Sequence, residues 1–432
     1  MSNARRSSPR GAGLYAVVSI GLTIGFCACL CGCGAKSRPL DELQYWNGFT
    51  GPDGNITEPL IRDFQAASGL RVEVQKMPWS TYFDKLIAAI AAGDPPDLFV
   101  LHFSELAAYA EMGALLPLDD LVDADDSFVP HADRIESVWD RCMYEERRYG
   151  VPLDVHMLGL YYNKDLFDRA GLPYPSETEP ITGDELIALA KALNVDEDGD
   201  GEPDIWGFTF GGAPFRNFSS LLWQFGGDLL SPGLDEVTID SPAGHAALQW
   251  MVDCVEKHGI SPQPEGLDTW QHFLQGRVAL FTEGCWVLNG IKQNAKFRWG
   301  VAPLFVAGEQ PAVWASGHVL CLSRNLPEAR RANALRLMRY LSDTGVTWST
   351  SGMIPARHSQ ITDPTFQADA LLRPFVAQLD HVRFEPDSPV GIELRDRYEQ
   401  SIVTALTGLA PVDVALDRAA SRMRRVLAWW EE

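Results

Sequence analysis

Asp154, Val155 and His156 alternate at the start of an apolar stretch, so in an extended chain the carboxylate and the imidazole share one face. Such a pair can hold hydrogen bonds to hydroxyl groups, or hold and move a proton. Glu283, followed by Gly284, brings a second carboxylate from a distant segment. Two carboxylates about 5–10 Å apart would be the apparatus of glycoside hydrolysis, but nothing in the sequence sets the spacing of Asp154 and Glu283. His102 and Ser104 follow the apolar run 98–101 and should emerge at its carboxyl end, as a helix cap or as contacts to a ligand. With His156 and His318 they could be imagined around zinc. The three histidines come from distant segments without HxxH or HxH spacing, so a hydrogen-bonding wall is the simpler reading.

Aromatic and basic residues complete the set. Trp79 stands before Ser80, a potential helix cap, Trp223 before Gly226 and Gly227, Trp286 after Glu283 and Gly284, and Trp314 in a run leading to Gly317 and His318. Exposed indole faces stack on apolar C–H faces, and glycine lets backbone approach a ligand. Arg357 could give a bidentate contact to a hydroxyl or carboxylate, or equally an ion pair. Asp196, Asp198, Asp200 and Asp204, with Gly201 among them, have the spacing of a calcium loop. Gly207 stands where the closing Glu is expected, so a structural calcium competes with an acidic turn.

The elements that must position these groups read as α/β. A strand near 43–46, a helix opened by Thr57 and Pro59 and ended by Gly69, a strand over 70–75, a helix capped by Ser80 and the doubly buried strand 98–101 imply a parallel sheet. A second set runs from Val151: a strand over 155–162, a helix opened by the Thr182 to Glu185 capping box, strands at 278–281 and 299–303, and helices at 329–341 and 412–430. No repeat and no low-complexity linker divides the halves. The 432 residues, 46% hydrophobic and 22% charged, suffice for two domains with substantial cores and exclude a disordered chain. A net charge of −22 argues against nucleic acid as a partner, because that surface rewards clustered Lys and Arg. The 13 Trp carry the ligand argument instead.

Several strings resemble the solute-binding proteins of ABC importers, in the family that includes maltose-binding proteins. They are Tyr45-Trp46-Asn47-Gly48-Phe49-Thr50, Ala92-Gly93-Asp94-Pro95-Pro96-Asp97, Gly113-Ala114-Leu115-Leu116-Pro117-Leu118, Tyr149-Gly150-Val151-Pro152, Tyr161-Tyr162-Asn163-Lys164-Asp165, Glu283-Gly284-Cys285-Trp286 and Ile354-Pro355-Ala356-Arg357, in the family's order. The resemblance implies a type II periplasmic-binding-protein fold, with two α/β lobes joined by two or three strands and closing on a ligand. By analogy, residues 41–150 plus 306–352 form one lobe and 151–305 plus 353–432 the other. It also implies ligand contacts at Asn47 and Gly48, a polar contact at His156 and sugar stacking on Trp286. The implied function is capture of a sugar, without catalysis and without a required cofactor, by a monomer that delivers to a membrane permease and its ATPase. A sugar phosphate, a hydrolase or a lyase is the alternative.

The amino terminus sets the compartment. Arg5, Arg6 and Arg10 precede an uncharged apolar run that ends at Leu30-Cys31-Gly32-Cys33, which resembles a lipoprotein signal with Cys33 as the acylated residue. Cleavage of 1–32 would remove three arginines and no acidic residue, leaving the exported, membrane-anchored chain more acidic still. Cys142, Cys254, Cys285 and Cys321 lack metal spacing, and the sequence leaves open whether they pair.

Overall fold

The computed structural model describes residues 38–124, 126–211, 213–263 and 268–431. The expected leader 1–32 and Cys33 lie outside the described residues. Two sheets form the cores of two lobes. The first runs in the order Arg71–Lys76, Glu42–Asn47, Leu98–His102, His318–Leu322, Gly150–Pro152. Glu42–Asn47 pairs in parallel with both neighbours, as the alternation of strand and helix requires. His318–Leu322 runs antiparallel to Leu98–His102 and to Gly150–Pro152, because it belongs to chain returning from the other lobe.

The second sheet is built around Asp154–Asn163, ten residues that are all buried. Val278–Gly284, Trp299–Ala302, Val313–Ser316 and Ile354–Pro355 all pair with it in antiparallel fashion. Trp206–Phe210 lies parallel to Val278–Gly284 at one edge. The expected parallel sheet is thus present in the first three strands, whereas in the second sheet the strands paired directly with Asp154–Asn163 run antiparallel to it.

The chain passes between the sheets at Leu153, at Gly317 and between Ser351 and Ile354. Since Val313–Ser316 pairs in the second sheet, the return crossing falls at Gly317 and not at 306. A Cβ at Gly317 would sit 2.3 Å from the Asp154 carbonyl oxygen and 2.5 Å from the Phe103 ring, so only glycine fits this crossing. The first two passages lie side by side, with the Leu153 N–H donating to the His318 carbonyl at 2.8 Å.

Helix boundaries follow local chemistry with two shifts. Pro52–Ser68 starts before the expected Thr57, which leaves Pro59 inside the helix, and it ends at Gly69 with φ +72°. Trp79–Ala91 follows Pro78, placing Ser80 in the first turn and not at the cap. The helix Gly183–Leu193 carries its capping box: the Glu185 N–H donates to Thr182 Oγ1 at 3.2 Å and the Thr182 N–H to Glu185 Oε2 at 2.7 Å. Cys142, Cys254, Cys285 and Cys321 are free and buried, and burial pushes the Cys142, Cys254 and Cys285 thiols well above their usual range.

Candidate functional site

Where the strand ends of the two sheets face each other lies a cavity of about 410 Å³. From the first lobe come Gly48, Thr50 and Asp53 after the first strand, Trp79 at its helix start, His102 and His318 at the adjacent ends of their strands, and Ser104 in the first turn of the helix Phe103–Glu111. His156, Phe215, Arg216, Trp286, Trp314, Ser316 and Arg395 come from the second. A wider annex of about 890 Å³ shares Trp79, His102, Phe215, Arg216 and Arg395 and runs out to the exposed Trp429 and Trp430.

Asp154 organises the floor. It is fully buried, and its carboxylate receives hydrogen bonds from His318 Nδ1 at 2.7 Å, the His318 N–H at 3.2 Å, Trp348 Nε1 at 2.7 Å and His156 Nδ1 at 3.1 Å. Burial alone would raise its pKa, but these donors hold the carboxylate well below the usual range. Burial pulls His156 down to about 4 despite its bond to Asp154. With Nδ1 of both histidines committed to Asp154, their Nε2 atoms are left for the cavity they line. Asp154, His156 and His318 have potential ligand atoms within 4.8 Å of one another, but those atoms are already each other's hydrogen-bond partners.

An aromatic wall stands on this floor. Trp79 stacks on His318 with centroids 5.5 Å apart and planes at 16°, and packs against His102 at 4.3 Å. Gly48 makes room for it, since a Cβ there would lie 2.1 Å from the indole. His102 is both helix cap and cavity wall: the Glu105 carboxylate accepts its backbone N–H at 3.1 Å, and burial lowers its pKa. Opposite, Trp286 meets His156 edge-on at 5.5 Å and Trp314 at 6.3 Å. The Arg216 guanidinium lies about 5.0 Å over the rings of Trp286 and Trp314.

The structure thus brings Gly48, Trp79, His102, Ser104, His156, Trp286, Trp314 and His318 to one cavity. Six expected contacts are placed elsewhere. Asn47 is fully buried behind the cavity, where its Oδ1 accepts the Phe49 N–H at 3.1 Å. Asp154 backs the histidines. Gly317 serves the strand crossing. Trp223 is a core residue 1% exposed within Pro214–Gln224, its Nε1 bonded to Asp228 at 3.0 Å. Arg357 is engaged with Asp133 at 2.9 Å and Asp343 at 2.7 Å, which realises the ion-pair alternative. Glu283 stands outside the cavity wall, its Oε1 accepting the Gly284 N–H at 2.9 Å, and burial raises its pKa.

Residues that sequence reasoning missed include Asp53, Phe215, Arg216, Ser316 and Arg395. For Phe215 and Arg216 a signal existed. Their helix opens at Pro214 just after the strand Trp206–Phe210, and the carboxyl end of a strand is where ligands gather. In the acidic loop Asp196, Asp198 and Asp204 converge, while Asp200 turns to the Glu202 N–H at 2.9 Å. Both Asp196 oxygens are taken by the backbone N–H groups of Gly199 and Gly201, at 2.6 and 2.9 Å.

Residues 59–374 match the family pattern described as bacterial extracellular solute-binding protein, and the chain belongs to that family. Its fold is the two-lobed type II periplasmic-binding-protein fold. The chain is similar to the maltodextrin-binding protein MdxE of Bacillus subtilis, with 24% identity over 81% of this chain and 82% of that one. Among solved structures it is similar to the cyclic α-maltosyl-1,6-maltose binding protein of Arthrobacter globiformis, with 26% identity, a TM-score of 0.75 and coverage of 89% and 98%. UgpB of Mycobacterium tuberculosis in complex with glycerophosphocholine shares the fold at 23% identity, a TM-score of 0.79 and coverage of 90% and 99%.

Proposed function

We propose that this exported protein captures a saccharide between its lobes and delivers it to the permease and ATPase of an ABC importer. The observation that carries the reading is the composition of the cavity wall: the indoles of Trp79, Trp286 and Trp314 opposed across a floor of imidazoles. Sugars present C–H faces to such rings and hydroxyl groups to such nitrogens. The relatives that bind maltodextrin and cyclic maltosyl-maltose support the same reading.

Capture is favoured over hydrolysis by the same wall. A glycosidase needs two carboxylates flanking the bond, and among the described residues lining the cavity between the indoles, as distinct from its annex, Asp53 is the one carboxylate. Asp154 is enclosed by its four donors and Glu283 is held by Gly284. In this reading the protein is a monomer, requires no cofactor for capture, and is held at the membrane by a lipid on Cys33. Replacing Cys33 by Ser should release it from the membrane fraction and abolish labelling by a fatty-acid analogue.

A thermal-shift screen over mono- and oligosaccharides tests capture, because a ligand bound only by the native state raises the Tm by mass action. A concentration-dependent rise with at least one sugar is expected. A flat response across the panel, or release of hydrolysis products, would overturn the reading.

A further inference from the structure

The cavity wall holds a guanidinium that no described residue completes with a hydrogen bond or a close ion pair. Arg216 lies partly buried in the wall, and its side chain makes no hydrogen bond and no ion pair with any described residue. Its Nε is buried without an acceptor. Trp314, 4% exposed in the same wall, carries a second buried donor, Nε1, also without an acceptor. The guanidinium lies about 5.0 Å from the Trp314 ring, so the two orphaned donors are neighbours. Leaving a guanidinium in such a place is costly unless something completes it.

The surroundings say what is missing. The rings of Phe215, Trp286 and Trp314 lie 5.1, 5.0 and 5.0 Å from the guanidinium carbon and offer its N–H groups no lone-pair acceptor. The carboxylates whose charge reaches it, Glu283, Glu385 and Glu399, make no ion pair or hydrogen bond with it: Glu283 accepts the Gly284 N–H, and Glu385 is bonded to Arg395 at 3.4 Å and Tyr398 at 3.1 Å. Arg395, the other guanidinium in the wall, therefore has its counter-ion. A guanidinium and an indole N–H side by side without acceptors call for a ligand group that only accepts hydrogen bonds and is planar enough for a guanidinium fork, as a carboxylate is.

We propose that the preferred ligand is a saccharide bearing a carboxylate, a uronic acid or an oligosaccharide containing one, with the carboxylate seated on Arg216 and Trp314 Nε1. This rests on the saccharide reading above and names the class within it. The ring of the acidic sugar then lies against Trp286 or Trp79, and neutral residues of a longer ligand extend into the annex toward Trp429.

The test is isothermal titration calorimetry of the purified protein with matched probes: D-glucuronate and D-glucose, digalacturonate and maltose, and D-glucose 6-phosphate. The acid of each pair is expected to bind at least tenfold tighter than its neutral partner at low salt. Arg216→Gln should bring that ratio close to one, and Arg216→Lys should leave an intermediate ratio, with circular dichroism checking that both variants fold. Neutral sugars binding as tightly as the acids would overturn the inference while leaving saccharide capture standing. A preference for the phosphate over the carboxylates, or a ratio unchanged in Arg216→Gln, would also overturn it. Absence of binding across all the probes and across the wider sugar screen would remove both readings together.

Discussion

Replacing His156 by Gln removes a titrating group whose environment is fully specified. The ring, in a residue 6% exposed, faces Asp154 through Nδ1 at 3.1 Å, His318 at 4.9 Å, His102 at 6.1 Å, and the indoles of Trp286 and Trp314. Burial, aided by His318 and His102, brings its pKa down to about 4 against the pull of Asp154, whereas an unfolded chain titrates near ~6.5. Between those two values the unfolded state holds a proton that the native state refuses. Stability therefore rises with pH across that window and is lost as pH falls through it. From pH 7 to pH 4.5 the difference amounts to about 2–3 kcal/mol.

Other buried groups titrate in the same range with the opposite sign. Burial raises Asp387 to about 6 and moves Asp53 and Glu283 upward, so each costs stability at neutral pH and costs less in acid. The comparison is accordingly between wild type and His156→Gln at each pH, in which those contributions cancel. Urea unfolding followed by tryptophan fluorescence and circular dichroism gives the free energies where the two transitions coincide. Wild type should lose about 2–3 kcal/mol more than the variant between pH 7 and pH 4.5. Parallel pH profiles would refute the depressed pKa and with it the uncharged imidazole in the cavity floor.

Trp286→Ala should weaken sugar binding at least tenfold, about 1.4 kcal/mol or more, with an unchanged melting curve in the absence of ligand; unchanged affinity by calorimetry would remove Trp286 from the site. Arg357→Ala should leave affinity within about twofold and cost about 1–2 kcal/mol of stability in denaturant titration, because it lies outside the cavity and its guanidinium is paired with the mostly buried Asp133 as well as the exposed Asp343. Gly317→Ala should destabilise the fold through backbone overlap at the crossing, read as a lowered Tm. Calcium at millimolar concentration should shift the Tm by less than about 1 °C if the acidic turn is closed by its own N–H groups; a larger rise would establish a calcium loop.

Elements whose pattern is local were legible in the sequence. The capping box at Thr182 and Glu185, the stop at Gly69 and the doubly buried strand Leu98–His102 each depend on residues within a turn or two of one another. Strand direction was less so, because His318–Leu322 and Val313–Ser316 read alike as apolar runs and only pairing partners far away distinguish them. The same limit divides the site. His102, His156 and Trp286 could be placed by strand alternation or by the resemblance, whereas Trp223 was misplaced and Arg357 left between two readings, because a flanking glycine or a Pro-Ala-Arg string does not say which neighbour arrives from elsewhere. Arg216 was missed for a related reason: what marks it is the lack of an acceptor, and that can be seen only after folding.

Asp154 joins these threads, because it sits where the chain enters the second sheet and its four donors belong to both lobes. His318 and Trp348 hold it from the first lobe, and His156, two residues further along its own strand, holds it from the second. A ligand hydroxyl that bonds the two imidazoles would therefore press on groups fixed to the carboxylate at the interlobe crossing. Asp154→Asn keeps the volume but loses the charge that both imidazoles share, so it should weaken ligand binding and lower the Tm together. In His156→Gln, by contrast, Asp154 retains the bonds from His318 and Trp348, and binding should suffer more than the neutral-pH melting temperature. If Asp154→Asn left affinity untouched while lowering the Tm, the buried carboxylate would serve only to lock the lobes, and the coupling between floor and crossing would fall.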